Sequence, residues 1–237
     1  MDNTPFGNRA FVCAGALAIA LTAAPAQADT IDVVSGSPCV WSLTCGPLRF
    51  TGGTLTLTSN GNFEYKVHNG ETGLGVSGPG HTGGEIDVDE YVTGTFSRPT
   101  VVSAFRVLFL YNGPEYGDPL ETAQVSINSG AVVATLIPGL TDNTATWSLG
   151  GSTVVNCGPT TDTGGGCFDV LNPFGSTLVS TITFTALLSG EDPTHNSDFS
   201  LASLDVSPIR DQVPVPEPAT WLLVGSGVTA ALRSRRR

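Results

Sequence analysis

The sequence predicts an all-β fold, a single β-sandwich of jelly-roll-like type over residues 29–213. Three observations lead to this class. Apolar and polar residues alternate with a period of two in about ten short segments rich in Thr and Val, as in half-buried strands. Turn sequences such as Asn60-Gly61 and Asn128-Ser129-Gly130 separate these segments. Between the two chain ends, no window has the apolar period of 3.6 residues that marks a helix.

The candidate strands follow one another at the spacing expected of a sandwich or a barrel. No internal repeat and no linker divides residues 29–213, so one domain with a real core is expected. The strands are predicted at Leu48–Thr51, Thr54–Thr58, Asn62–His68, Tyr91–Phe96, Val101–Tyr111, Thr122–Asn128, Ala131–Ile137, Thr144–Leu149, Leu178–Leu188 and Asp198–Val206.

The charge of this span argues against a polyanionic partner. Residues 29–213 carry 19 acidic side chains against 5 basic ones, a net charge of −14. Such a surface repels phosphate backbones and anionic lipid headgroups, so nucleic acid is not expected as a partner. The acidic balance suits a soluble extracellular protein, or one that collects divalent cations.

The N-terminus has the order of a secretory signal peptide. Arg9 precedes the apolar run Ala10–Leu21, which is too short to span a membrane comfortably. Ala26 and Ala28 are small residues at the positions that signal peptidase requires. The sequence therefore predicts a signal peptide over residues 1–28, with an apolar helix, and a mature chain that starts at Asp29.

The C-terminal residues 214–237 combine a proline-rich spacer, a short apolar segment and a basic end. The motif Pro216-Glu217-Pro218 precedes the apolar segment Ala219–Leu232. As a helix, that segment would cover about 21 Å of a hydrocarbon core about 30 Å thick. Four arginines close the chain and predict a cytoplasmic stop for this short membrane helix: Arg233, Arg235, Arg236 and Arg237. The β-domain would then lie outside the cytoplasm, as the signal peptide requires.

This arrangement resembles the PEP-CTERM sorting signal of Gram-negative bacterial surface proteins. The resemblance implies recognition by an exosortase, a membrane cysteine transpeptidase, and cleavage near Pro216-Glu217-Pro218. It also implies a producer of extracellular polysaccharide. The expected route is export, an intermediate in the inner membrane, and then the cell surface or the extracellular space.

Four cysteines remain after signal cleavage: Cys39, Cys45, Cys157 and Cys167. An even number in an exported chain predicts disulfides, and three pairings are open. The local pairs Cys39–Cys45 and Cys157–Cys167 are favoured, and each would contribute about 2–3 kcal/mol on the chain-entropy model. A four-cysteine zinc site is the alternative, although the spacings lack Cys-x-x-Cys.

The segment Glu85–Glu90 carries four carboxylates in six residues. If the segment is extended, Glu85, Asp87 and Asp89 face one side. Two interpretations stay open. The segment is either a solvated edge before the strand at Tyr91, or a calcium site built from oxygen ligands.

A second resemblance bears on the calcium interpretation. The stretch Asp198–Val206 is similar to the closing strand of jelly-roll carbohydrate-binding modules, in which an aspartate before the aromatic residue often ligates a structural calcium. The resemblance implies that Asp198 is a metal ligand, with Glu85, Asp87 and Glu90 as its nearest chemical complements. Calcium is therefore the candidate ion, and the sequence indicates no other cofactor.

Two functions of different class are consistent with these features. The favoured one is a non-enzymatic surface or matrix protein that associates with polysaccharide. Four aromatic residues are available for sugar contact: Trp41, Trp147, Tyr111 and Tyr116. The alternative is a secreted, glycosidase-like hydrolase that uses paired acids such as Glu115 and Asp118. Those two acids share one turn, whereas glycosidase carboxylates face each other across a cleft, so no catalytic residue is predicted.

Overall fold

The computed structural model of the protein describes residues 28–35, 39–78, 83–112, 120–140, 143–158, 166–188 and 197–207. Within these ranges the chain forms strands and turns and no helix, so the all-β prediction is confirmed. The strands are β1 (Asp29–Asp32), β2 (Thr44–Phe50), β3 (Gly53–Ser59), β4 (Asn62–His68), β5 (Glu71–Ser77), β6 (Tyr91–Leu110), β7 (Ala123–Ile127), β8 (Val132–Pro138), β9 (Ala145–Trp147), β10 (Thr153–Asn156), β11 (Gly166–Leu171), β12 (Leu178–Ala186) and β13 (Ser200–Ser207).

The 20-residue strand β6 connects the sheet. The main order of strands is β4-β5-β13-β6-β12-β7-β8-β9, and β3 and β11 also pair with β6. The sequence analysis predicts two strands here, Tyr91–Phe96 and Val101–Tyr111, which prove to be the two halves of β6. Between them Ser97–Pro99 is exposed, and the register with β12 shifts. Such a bulge bends a strand, and the sheet curls around β6.

Aromatic side chains form the centre of the core. The ring of Phe105 makes edge contacts with Trp147 and Phe184, at centroid distances of 5.3 and 5.6 Å. Trp147 also contacts Phe174 at 5.9 Å, and its Nε1 donates a hydrogen bond of 3.0 Å to the carbonyl of Pro173. The large apolar area and the satisfied indole N–H together make this cluster a stable centre for the curled sheet.

Strands β4 and β5 form a hairpin that the acidic segment covers. Its turn, Asn69-Gly70, has φ angles of 49° and 85°, as a type I′ turn requires. Strand β5 is absent from the predicted strands because Gly73 and Gly75 resemble strand breakers. Both glycines allow close approach: a Cβ atom on Gly73 would lie 2.3 Å from that of Ser200, and one on Gly75 would lie 2.4 Å from the backbone of Glu85.

Three further strands were not predicted: β1, β10 and β11. Strands β1 and β10 have four residues each, too few for a period of two to be recognised. Strand β11 begins at Gly166, the last of three consecutive glycines, Gly164-Gly165-Gly166, which favour a loop. It forms because it pairs with β6 on one side and with β10 on the other, contacts that local sequence does not specify.

Most of both chain ends lies outside the described residues. The predicted signal helix within residues 1–28 and the predicted membrane helix within residues 214–237 are therefore not described, apart from Ala28. In the seven described ranges, there is no helix with the length and hydropathy needed to cross a membrane.

Candidate functional site

The acidic segment Glu85–Glu90 crosses the β4–β5 hairpin and is fixed there by backbone hydrogen bonds. The N–H of Val76 donates to the carbonyl of Glu85 at 2.7 Å, and the N–H of Gly84 donates to the carbonyl of Val76 at 3.1 Å. On its other side, the N–H of Ile86 donates to the carbonyl of Phe199 at 2.6 Å. The segment is thus held between β5 and the residue that precedes β13.

The solvated-edge interpretation is wrong for three of the four acidic residues. Glu85 is fully buried, Asp87 and Glu90 are 8% and 6% exposed, and Asp89 alone is exposed. The segment is also not extended beyond Ile86. The N–H of Glu90 donates to the carbonyl of Asp87 at 3.0 Å, and the Glu90 carboxylate accepts the N–H of Asp87 at 3.1 Å. This reciprocal pair closes a turn, which brings the acids inward.

The buried carboxylate of Glu85 meets an ammonium group. The Nζ of Lys66, on β4, lies 2.5 Å from Glu85 Oε2. The same Nζ lies 5.1 Å from the centre of the Phe109 ring, so the cation lies between an acid and an aromatic face, and the Lys66 side chain stays 25% exposed. Lys66 is the single lysine of the sequence, whose other cationic side chains are nine arginines. That uniqueness is the sequence signal by which this site could have been predicted.

Phe109 reaches Lys66 because β6 has a bulge at this residue. Gly166 of β11 pairs with Leu110 and Cys167 pairs with Leu108, so Phe109 has no partner in the ladder with β11. Its φ angle is 62°, an unfavourable conformation for a bulky side chain. The ring is nevertheless fully buried. Strained residues of this kind concentrate at functional sites, which makes the surroundings of Lys66 the candidate site of the domain.

Opposing effects act on the protonation of Glu85. Removal from water, the largest effect, and the charges of Asp198 and Asp87 raise the pKa of Glu85 to about 9, whereas Lys66 lowers it. The ion pair favours the carboxylate and burial favours the neutral acid. The net direction is upward because desolvation dominates. The same interaction shows that Asp198 lies within electrostatic range of Glu85, so the fold brings together two acids that are far apart in the chain.

Calcium binding by Glu85, Asp87, Glu90 and Asp198 stays a prediction. In the part of the chain that the structure describes, no three His, Cys, Asp or Glu side chains are grouped so that they could hold a metal ion. Calcium takes about six to eight oxygen ligands. Here Glu85 is paired with Lys66, and Glu90 is engaged in the turn at Asp87. Two of the four carboxylates therefore already have protein partners in this arrangement.

The four cysteines lie in the two predicted local pairs. The Cα atoms are 4.7 Å apart for Cys39 and Cys45, and 5.2 Å apart for Cys157 and Cys167. Both separations fall in the range of disulfides, which agrees with an exported chain. One pair closes the loop before β2, and the other joins the end of β10 to β11.

Of the aromatic residues named for sugar contact, Trp41 is exposed and two others are not. The indole of Trp41 is 68% exposed, whereas Trp147 and Tyr111 are 6% and 5% exposed and belong to the core. Tyr116 lies outside the described residues. A contact with sugar through Trp147 or Tyr111 is therefore excluded by burial.

The loop that carries Trp41 is fixed although the indole is not covered. Cys39–Cys45 closes the loop, and the N–H of Trp41 donates to the carbonyl of Phe63 at 2.9 Å. The φ angle of Trp41 is 66°, in the left-handed region that a bulky residue rarely adopts. Leu43, two residues on, is 54% exposed. The backbone therefore holds a large apolar side chain toward solvent.

The polar contacts that were not predicted include an ion pair on β6 and a buried glutamate beside Tyr111. Arg106 of β6 donates to both carboxylate oxygens of Asp169 at 2.8 and 2.9 Å, and this pair lines a cavity of about 170 Å³. Glu121 is fully buried, and its carboxylate accepts a hydrogen bond from the backbone N–H of Tyr111. The backbone N–H of Glu121 in turn donates to the carbonyl of Tyr111 at 3.2 Å. Each contact joins residues from different strands or loops, so no local sequence pattern predicts it.

The remaining predicted site residues lie outside the described part of the chain. They are Ala26, Glu115, Asp118, Pro216, Glu217, Pro218, Arg233, Arg235, Arg236 and Arg237. Ala28 is described, but its role in cleavage is a property of the precursor and stays a prediction.

Comparison with known proteins identifies the C-terminal end. Residues 214–237 match the family model described as the PEP-CTERM protein-sorting motif. The chain is thus an exported protein that carries a sorting signal for the cell surface, and an exosortase is the partner that processes it. No curated protein and no solved structure matches the chain.

Proposed function

We propose that the mature protein is a non-enzymatic component of the cell surface or extracellular matrix that binds polysaccharide. The sorting motif at residues 214–237 supports a location at the cell surface. Trp41 supports the binding role, because a fixed, 68% exposed indole offers a flat apolar face to the ring of a sugar. The net charge of −14 between residues 29 and 213 favours a neutral glycan over an anionic one.

With this function we propose a single β-sandwich domain that is released by cleavage from a membrane-bound precursor. The bend in β6 at Ser97–Pro99 supports a jelly-roll-like sandwich, because it allows the two halves of the strand to lie in different layers. Signal peptidase would cut after Ala28, and Ala219–Leu232 would hold the precursor in the membrane until exosortase acts.

Replacement of Trp41 tests the binding role. Trp41→Ala should weaken binding to neutral polysaccharide from the producing cells by about tenfold or more, because an exposed aromatic anchor dominates such contacts. Tyr91→Ala is the matched control, since Tyr91 is an aromatic residue 41% exposed on β6. Affinity electrophoresis in gels that contain the polysaccharide measures both variants. Equal retardation of Trp41→Ala and wild type would remove Trp41 from the proposal.

The products formed from the polysaccharide distinguish a hydrolase from a binding protein. A non-enzymatic protein leaves the polysaccharide at its original length, whereas a glycosidase releases new reducing ends. Incubation of the processed protein with the same polysaccharide, followed by size-exclusion chromatography and a reducing-end assay, distinguishes the two. Chain shortening that disappears in Glu115→Gln or Asp118→Asn would establish the alternative.

A further inference from the structure

The contact between Lys66 and Glu85 has the composition and surroundings of a reactive pair. It joins the one lysine of the chain to a fully buried glutamate, with Nζ 2.5 Å from Oε2. Among the described residues, neither Oε1 nor Oε2 of Glu85 has a partner in hydrogen-bond geometry, so the contact of Oε2 with Lys66 is an ion pair. An arginine in place of Lys66 would supply a firmer ion pair, and arginine is the cation used everywhere else in this sequence. Only lysine brings an amine that can act as a nucleophile.

We propose that Lys66 and Glu85 form an intramolecular amide bond between Nζ and Cδ. The bond would join β4 to the segment that crosses the β4–β5 hairpin. This inference is independent of sugar binding and rests on the geometry of the pair.

The reaction is a condensation that needs no oxidant and no cofactor. A proton passes from the Lys66 ammonium to the Glu85 carboxylate, whose burial favours the neutral acid, and this leaves a free amine beside it. The amine nitrogen attacks Cδ, so that an N–C bond forms while one C–O bond breaks. The nitrogen loses a proton, the leaving hydroxyl gains one, and a water molecule departs. The products are a neutral secondary amide and that water.

The surroundings supply the proton carrier and the confinement that this step requires. Asp198 and Asp87 act electrostatically on Glu85, and either carboxylate can take the proton from nitrogen and return it to the leaving hydroxyl. Asp198 is assigned this role because it directly precedes Phe199, whose carbonyl accepts the N–H of Ile86, the residue that follows Glu85. The Phe109 ring closes the other side at 5.1 Å from Nζ. An amine held beside the acid in this way reacts within one molecule, without the entropy cost of a bimolecular encounter.

The position of the pair explains what the bond would do. Strand β4 lies at the end of the main strand order, and on its outer side Phe63 exchanges backbone hydrogen bonds with Trp41 and Ser42. The segment at Glu85 is itself hydrogen-bonded to β5 and to Phe199. An amide at this point would fasten an edge hairpin covalently, in a protein whose destination is outside the cell.

Digestion with trypsin of the processed protein, after unfolding and reduction, tests the bond. Trypsin cuts after unmodified lysine and arginine but not before proline, so it leaves the bond between Arg98 and Pro99 intact. An unlinked chain therefore yields the peptides Phe50–Lys66 and Val67–Arg106. The amide blocks cleavage at Lys66, and the expected product is the single peptide Phe50–Arg106, lighter than its sequence by one water molecule. Fragmentation should place the link at Lys66 and Glu85.

The variants separate the amide from a simple ion pair. Lys66→Arg keeps the positive charge but has no amine that can react. Trypsin should therefore cut after residue 66 and yield two peptides, each with the mass expected from its sequence. Asp198→Asn should raise the unlinked fraction in freshly made protein severalfold, whereas Glu71→Gln, an exposed acid at the other side of the hairpin turn, should not. Recovery of wild type entirely as Phe50–Lys66 and Val67–Arg106 would overturn the proposal. A link from Lys66 to Asp198 would join Phe50–Arg106 to a later peptide, and would overturn the assignment to Glu85.

Discussion

Phe105→Ala is expected to lower the free energy of unfolding by about 3–5 kcal/mol, the range for truncation of a buried aromatic residue. Phe105 is 1% exposed and its ring contacts both Trp147 and Phe184. It also lies in the half of β6 that pairs with β11 and β13, so the cavity would open where most strands meet. Close-packed neighbours can collapse into such a cavity only in part.

Urea denaturation of the processed protein measures this loss. The expected result is a lower midpoint with an unchanged slope, because the surface exposed on unfolding stays the same. Val133→Ala on β8 is the control, since Val133 is 48% exposed and its truncation should change stability by about 0.5 kcal/mol or less. A loss below about 1 kcal/mol for Phe105→Ala would show that the aromatic cluster is not the centre of the core.

Gly75→Ala is expected to cost about 3 kcal/mol, the upper end of the range for overpacking. A Cβ atom at this position would lie 2.4 Å from the N, Cα and C atoms of Glu85. Because these neighbours are backbone atoms held by hydrogen bonds to Val76, they cannot move aside as the tip of a side chain can. The variant should also move Glu85 away from Lys66 and lower the yield of the amide.

Gly150→Ala is the matched control for Gly75→Ala. No atom lies within 4 Å of a Cβ built on Gly150, so alanine should be neutral or slightly stabilising there through the unfolded state. Thermal unfolding of both variants and of wild type makes the comparison. Equal melting temperatures for the two variants would mean that the acidic segment does not press on β5.

Local patterns predicted much of the fold. Strand β4 begins and ends at the predicted residues, Asn62 and His68, because its alternation is clear and turns flank it on both sides. Strand β5 was not predicted, because its glycines Gly73 and Gly75 looked like turn residues. Their role is close contact with Ser200, which is distant in the sequence, and with Glu85, which lies outside the hairpin. A glycine that serves close packing cannot be told from a turn glycine by its neighbours alone.

The candidate site was predicted in part. The sequence marked Glu85, Asp87 and Glu90 as unusual, and proposed Asp198 as their companion by resemblance. Burial was not foreseen, because it depends on the hairpin beneath and on Phe199 beside the segment. The partner Lys66 lies 19 positions before Glu85 and becomes its neighbour only through the crossing of the hairpin. Its being the only lysine was the one available sequence signal, and no prediction was drawn from it.

The sorting signal is tested most directly by fractionation of cells that carry an exosortase and express variants of the motif. The wild type should reach the surface at mature size, and so should Pro214→Ala, a proline control just before the motif. Replacement of Pro216, Glu217 and Pro218 by Ala should leave the uncut precursor in the inner membrane, because the motif that exosortase recognises is lost while the apolar segment stays. Immunoblots of the inner-membrane and surface fractions separate these outcomes. If the motif variant reached the surface at mature size, residues 214–237 would not be acting as a PEP-CTERM signal.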